Sequence, residues 1–219
     1  MGDRRSFRKC DFLWLRKISK QSCSEELSAG LGGRVIGKRT KKMEREFQTA
    51  LLRGCEAHEG FAYHIPDVIN SGPFHGKNFQ SGGKKPFDVF WVTPYFFCAM
   101  ELKQLRQRLS FNICKETDSC SLKQHQYECL KVIADCGHVA LAVINFKFKP
   151  SAQFKKKYPQ FIKPTLDMAY AVPIEHLVAE YEAGVEQLPI DWFWNKGYDL
   201  IKKSATVWDP ATIIASYSK

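Results

Sequence analysis

PFDVFWVTPYFFCAMELK, residues 86–103, is the stretch whose reading decides the fold. Asp88 opens an apolar run, Val89-Phe90-Trp91-Val92, which Thr93-Pro94 interrupts; a second apolar run, Phe96 to Met100, then delivers Glu101 and Lys103. Aromatic and β-branched residues on both sides of a short Pro-containing break predict a β-hairpin. With Pro94 and Tyr95 as its two-residue turn, Thr93 faces Phe96, and counting outward sets Asp88 opposite Glu101. Directly opposed residues share one face of a sheet, and Lys103, two residues beyond Glu101, shares it too. Two acids and a lysine converge at the open end of one hairpin.

Two adjacent carboxylates resist joint ionisation unless a cation sits between them. Such hard oxygen ligands suit Mg²⁺, which takes one or two carboxylates together with water and substrate phosphate. Mn²⁺ is the expected substitute. A lysine beside the metal can orient or deprotonate water and offset charge building on a phosphate. The pattern D-x(12)-E-x-K is loose, however, and an edge hairpin with a merely solvated polar end satisfies it as well.

Upstream of the hairpin, Met43, Phe47, Ala50 and Leu51 recur at the spacing of one buried helix face, predicting a helix from Arg39 to Leu52 closed by Gly54. Glu44 lies at the edge of that stripe, and Arg34, Lys38, Arg39, Lys41 and Lys42 make its approach densely basic. Phe61 to Ile65 reads as a short strand ended by Pro66-Asp67. Residues 70–85 form a Gly-, Ser- and Asn-rich loop whose Lys77, Lys84 and Lys85 can reach for phosphates, or serve only as a connector. Residues 1–33 carry seven basic residues, from Arg4 to Lys20, around a small apolar patch. They read as a basic arm or a solvated terminus.

Downstream, Arg106 and Arg108 precede a short extended piece, Phe111 to Cys114. A polar loop then leads to a helix from Leu122 to Asp135, with Ser121 as N-cap and Gly137 as its end. Leu122, Cys129, Leu130 and Ile133 share one face of that helix, and Gln126 falls among them, where a buried amide needs partners. The unbroken apolar run Val139 to Phe146 reads as a fully covered central strand. Lys147, Lys149, Lys155, Lys156, Lys157 and Lys163 then alternate with Phe148, Phe154, Tyr158 and Phe161, a pattern suited to backbone phosphates and unstacked bases, or to a solvated face. Residues 174–183 form an amphipathic helix, and Trp192-Phe193-Trp194 and Trp208 pack the tail on the core or supply a subunit interface.

The chain's 219 residues bear 33 Lys and Arg against 23 Asp and Glu, a net charge of +10, with a pI near 9.2. That balance favours a polyanionic partner, nucleic acid before membrane. No run of 18 apolar residues is present for a bilayer span, and the charged N-terminus does not read as a secretory signal. The eight cysteines are expected as reduced thiols, without common zinc spacing; Cys98, Cys129 and Cys136 read as small core residues. No internal repeat or low-complexity segment is visible.

A helix with Glu44, a hairpin with Asp88 and Glu101-Leu102-Lys103, a helix with His125-Gln126, then a buried strand: this order resembles the PD-(D/E)xK nuclease superfamily, the restriction-endonuclease-like fold, and within it the RecU-type Holliday junction resolvases. Four stretches carry the likeness: GKRTKKMEREF (37–47), YHIPD (63–67), PFDVFWV…CAMELK (86–103) and LKQHQYECLKVIADCGHVALAVINF (122–146). The resemblance implies an α/β fold, a mixed sheet flanked by helices, with 34–150 as nuclease core and 151–219 as a C-terminal extension of the same domain. It implies that Asp88, Glu101 and the Leu102 carbonyl bind the divalent metal, that Lys103 assists the water, and that Glu44, with Glu46 as alternative, completes or supports the metal site. Gln126 would be the polar residue of the helix after the motif. Arg34, Lys38, Arg39, Lys41, Lys42, Lys77, Lys84, Lys85, Arg106, Arg108, Lys155, Lys156 and Lys157 are the expected DNA contacts.

The activity so implied is Mg²⁺-dependent nicking of four-way DNA junctions in recombination and repair. Symmetric cutting of two opposed strands calls for two sites related by a two-fold axis, hence a homodimer. The expected setting is the cytoplasm of a bacterium or a phage-infected host, and the segments outside the likeness, 1–33 and 147–219, lean towards phage. The competing readings are another nuclease on the same fold, exonuclease or restriction-type, and a non-catalytic DNA-binding protein.

Overall fold

The computed structural model describes residues 34–66, 85–118, 120–161 and 163–218, with side chains described from Glu44 onward. In chain order they form α1 (Arg34–Glu56), β1 (Phe61–His64), β2 (Val89–Val92), β3 (Phe97–Arg106), β4 (Ser110–Asn112), α2 (Gln124–Asp135) and β5 (Val139–Phe148). Then follow α3 (Ala152–Lys157), β6 (Leu166–Pro173), α4 (Ile174–Glu182), β7 (Gln187–Pro189), α5 (Ile190–Lys196), β8 (Tyr198–Ser204), β9 (Val207–Asp209) and α6 (Ala211–Tyr217). The segment 1–33 and Lys77 and Lys84 lie outside the described residues.

β5 is apolar along nearly its whole length because it is covered on both faces and paired on both edges. It joins a seven-stranded sheet of order β1-β2-β3-β5-β6-β8-β9, in which β3 and β5 are parallel and the other pairs antiparallel. The expected class, a mixed sheet flanked by helices, is the one found. Residues beyond 150 do more than pack on this sheet, since β6, β8 and β9 supply three of its strands. The parallel β3–β5 pair needs a crossover, and α2 provides it.

Strand alternation sorts the core into two layers. Ala99, Leu105, Ala142, Ile144 and Phe146 face α2, α4 and α5, meeting Leu130, Leu177 and Phe193. Met100, Leu102, Leu141 and Val143 face the other way, onto Phe47 and Leu51 of α1 and Ile213 of α6. Among the described residues, no helix is long and apolar enough to cross a membrane.

Several local expectations give way to tertiary contacts. Gly54 does not close the first helix, which runs on to Glu56; a Cβ there would lie 1.6 Å from the Trp208 carbonyl oxygen, so the glycine serves close approach. Ser121 is not an N-cap, because α2 starts at Gln124, and its hydroxyl donates instead to the Lys115 carbonyl at 2.5 Å. Gly137 does end α2: its φ is 81°, its N–H donates to Ala134 O and His138 N–H to Ile133 O, a Schellman closure. Cys136 is exposed rather than core, and the described cysteines are free thiols.

The aromatic residues among the lysines at 147–163 are not presented to bases. Phe154 packs 5.1 Å from Phe148 and 4.9 Å from Tyr158, and Trp194 closes on Tyr158 at 4.7 Å and Phe161 at 5.1 Å between ring centroids. Lys149, Lys155, Lys156, Lys157 and Lys163 of that run are exposed, whereas Lys147 is half-buried.

Gly54→Ala tests the close approach. Alanine is the better helix former by about 1 kcal/mol, but overpacking against Trp208 costs about 2 kcal/mol or more. The expected outcome is a lower urea midpoint with an unchanged m-value.

Candidate active site

The hairpin has the expected register, with Val92 opposite Phe97 and Val89 opposite Met100. Thr93 fixes the turn: its hydroxyl accepts from the Tyr95 and Phe96 N–H groups, and its own N–H donates to Phe96 O at 3.0 Å. Asp88 is the next residue beyond β2. Its N–H donates to Met100 O at 3.0 Å and its carbonyl accepts from Ile65 N–H at 2.8 Å, so its backbone is tied to both neighbouring strands. Carboxyl Oδ2 accepts from Leu102 N–H at 2.9 Å.

Glu101 stands on β3 between Ala99 and Lys103, and its side chain is 1% exposed. Oε1 accepts from Lys103 Nζ at 2.8 Å and from Gln126 Nε2 at 2.6 Å, while the buried Oε2 has no partner among the described residues. Gln126 is positioned by its other atom: Oε1 accepts from Lys123 N–H at 3.0 Å, one half of a capping box at the start of α2. One glutamine therefore caps a helix and holds a carboxyl group. Burial pushes the Glu101 pKa up to about 8, with Lys103 opposing the shift and Asp88 reinforcing it. Burial also works against the Lys103 ammonium, but Glu101, Asp88 and Glu44 outweigh it and hold its pKa above the ordinary lysine value.

These groups line a cavity of about 400 Å³ where β1 and β2 end beside the continuing β3. Glu44, Arg45 and Gln48 of α1, His64, Lys85, His125 and Gln126 complete its lining. Lys85 Nζ lies 2.7 Å from Asp88 Oδ1 and 3.4 Å from His64 Nε2.

Do these residues fit a divalent cation? Among the described residues, no three His, Cys, Asp or Glu side chains are grouped closely enough to hold a metal ion. Mg²⁺ does not require such a cage, since it keeps several waters and uses one or two carboxylates with substrate phosphate. A buried carboxylate oxygen without a partner is costly and uncommon, and Glu101 Oε2 is one. Because a residue's N–H and C=O point the same way in a strand, the Leu102 carbonyl lies on the same edge as the N–H that binds Asp88. Asp88, Glu101 and the Leu102 carbonyl thus fit the ion. Glu44 lines the cavity without joining a three-residue ligand group. Glu46 does not line it, and lies instead beside Gln104 and Lys147.

The expected DNA contacts separate into three sets. Lys85 belongs to the cavity. Arg34, Lys38, Arg39, Lys41 and Lys42 are in α1, where only the backbone is described. Arg106, Arg108, Lys155, Lys156 and Lys157 do not line the cavity. Arg108 is ion-paired with Asp118, and Lys157 lies 3.7 Å from Asp191 and over the Tyr158 ring; Lys155 and Lys156 are exposed on α3. Arg45, Gln48 and His64 are cavity residues that sequence reasoning did not single out, and His125 is one that it named beside Gln126 without a role. His125 adjoins Gln126 in sequence, and Arg45 and Gln48 lie one and four places beyond Glu44, a helical adjacency that offered a signal.

No family model matches the chain, and no curated protein matches it. Among solved structures it is similar to Hjc of Archaeoglobus fulgidus, a Holliday junction resolvase from an archaeal hyperthermophile. The TM-score is 0.42 and the identity 12%, covering 80% of this chain and 98% of that one. A likeness at this level carries no argument about function, which rests on the site's own groups.

The Glu101 carboxyl gives a pH prediction for metal-free protein. With a folded pKa of about 8 against an ordinary 4.5, the folded state binds the extra proton between those values. Stability from this group is therefore full below about pH 4.5 and is lost as pH rises through about 8. Glu101→Gln is expected to flatten this fall, read as melting temperature at pH 5.5 and 8.5 in chelator.

Proposed function

We propose that the chain is a divalent-metal-dependent nuclease that hydrolyses DNA phosphodiesters, on a restriction-endonuclease-like fold. One observation carries the reading: Glu101, buried and held by Lys103 and Gln126, keeps one carboxylate oxygen without a partner on the face it shares with Asp88. Two buried carboxylates beside a lysine in a polar cavity, in a chain of net charge +10, suit a phosphodiester better than a neutral substrate.

Asp88 and Glu101 would hold the ion, with the Leu102 carbonyl beside them. A bound divalent cation supplies Lewis-acid charge at a phosphate oxygen and lowers the pKa of water. Lys103 keeps its proton through its carboxylate neighbours and offsets charge that develops on the phosphate. Gln126 holds the Glu101 carboxyl in one orientation. Lys85 neutralises Asp88 and offers a second cation to the phosphate.

The finer reading is a four-way-junction resolvase acting as a homodimer, in the cytoplasm of a bacterium or a phage-infected host. It is supported by the order and spacing of the four sequence stretches that resemble the RecU-type enzymes. The Lys85–Asp88 and Lys103–Glu101 pairs by themselves suit a non-catalytic DNA-binding protein, but such a cluster gives no role to the unpartnered oxygen.

The test is cleavage of a labelled synthetic four-way junction beside a linear duplex of the same sequence, with Mg²⁺ and with chelator. Paired symmetric nicks in the junction alone, absent for Glu101→Gln and in chelator, are expected. Metal-dependent cutting of every substrate would leave the nuclease and remove the junction selectivity. Binding without cutting under several divalent metals would overturn the reading. Separately, Lys103→Met is expected to lower kcat by about 10²–10³-fold, the scale of one lost electrostatic stabiliser of the transition state, while Mn²⁺ still binds in a calorimetric titration.

A further inference from the structure

The face of the hairpin that carries Asp88 and Glu101 continues, away from the cavity, as a run of aromatic rings. Tyr63 is paired with Phe90 and Phe61 with Val92, while Phe90 and Val92 oppose Ala99 and Phe97. Opposed residues share a face, and Ala99 is two residues from Glu101, so these rings and the carboxylates occupy one surface. The Phe61 and Tyr63 rings are stacked with centroids 6.3 Å apart and planes 17° from parallel; Phe90 lies 5.6 Å from Tyr63 and 6.3 Å from Phe97. Phe61 is 58% and Tyr63 47% exposed. Among the described residues β1 is an edge strand. Large aromatics left open on an edge invite association and mark a binding surface.

We propose that Phe61, Tyr63 and Phe90 form a platform on which unpaired nucleobases stack beside the phosphate bound in the cavity. The proposal rests on the nuclease reading given above. Phe90 is two residues from Asp88, about 7 Å along the strand, so a nucleotide whose phosphate lies at the carboxylates has its base, or the next one, over the rings. The cavity lining carries Arg45, Lys85 and Lys103 beside Glu44, Asp88 and Glu101, and a divalent cation held as proposed above would make it attractive to a phosphate. A ligand anionic at one end and flat and apolar at the other matches both halves of the surface, and a nucleotide has that form. Stacking on aromatic side chains is indifferent to base identity, so the platform selects for unpaired DNA and not for sequence.

The experiment is a cycle between protein and DNA, run in chelator so that nothing is cut. The probe is a splayed-arm duplex whose single-stranded arm is either normal or abasic throughout. The variant is the double substitution Phe61→Leu and Tyr63→Leu, which keeps apolar area and removes the rings; Tyr63→Phe is the conservative control. The variant is expected to bind the normal arm about 10–100-fold more weakly than wild type, and the abasic arm to weaken wild type similarly. Variant and abasic arm together are expected to lose less than about threefold beyond either alone, with Tyr63→Phe near wild type.

A variant within about twofold of wild type on the normal arm, or one that loses equally on both arms, overturns the platform. So does a change from dimer to monomer by light scattering in the variant alone, which assigns the face to a second copy. Metal-dependent cleavage by wild type, measured alongside, separates the two readings. Cutting without coupling in the cycle removes the platform alone, whereas coupling without cutting keeps the platform and removes the hydrolysis. Wild type that binds no DNA in chelator or with Ca²⁺ removes both.

Discussion

The carboxyl group of Glu101 is the constraint on which the rest of the site depends. An acid this deep in a sheet has lost nearly all of its hydration, and that loss, more than any neighbour, sets its affinity for a proton. It is tolerated because two donors reach one of its oxygens, Lys103 from its own strand and Gln126 from α2. Gln126 also caps α2 through Lys123 N–H. The helix that covers this face of the sheet therefore begins where it does partly because its first turn is bound to the buried acid. Fold and site share one residue.

A second constraint is the unequal length of the strands. β2 pairs with β3 only as far as Val89 and Met100, whereas β3 continues to Arg106 with β5 on its other side. Beyond Met100 the β2 edge of β3 has no strand against it among the described residues, and Asp88 fills the first position of that gap through Leu102 N–H. The cavity forms in the same gap, floored by β3 and reached by α1 from one layer and the start of α2 from the other.

What was legible in the sequence followed from short-range rules. Alternation along residues 86–103, with Thr93-Pro94 as a break, was enough for the register, and register is what sets Asp88 and Glu101 on one face. The unbroken run at 139–146 was enough for a central strand. The glycine and serine at helix ends misled, because cap rules are local: Gly54 is required by Trp208, which arrives from far along the chain, and Ser121 is drawn to the Lys115 carbonyl. The aromatics among the lysines misled for the same reason, since Trp194 covers two of them. The approach of Glu44 to the cavity depends on how α1 crosses the sheet, and the helical period alone does not carry that information.

The end of the sheet that holds the cavity is polar on both faces. On the face opposite Lys103, Gln104 donates to Asn145, Asn145 donates to Asp167, and Lys202 pairs with Asp167. Polar groups packed this way cost stability unless every one is satisfied. Both oxygens of Asp167 have donors, as do both oxygens of Asp88. Glu101 Oε2 alone among these six carboxylate oxygens has none. A sheet end that satisfies its other buried acids so fully leaves, at Glu101, the one oxygen that the proposed cation and not a protein donor would complete.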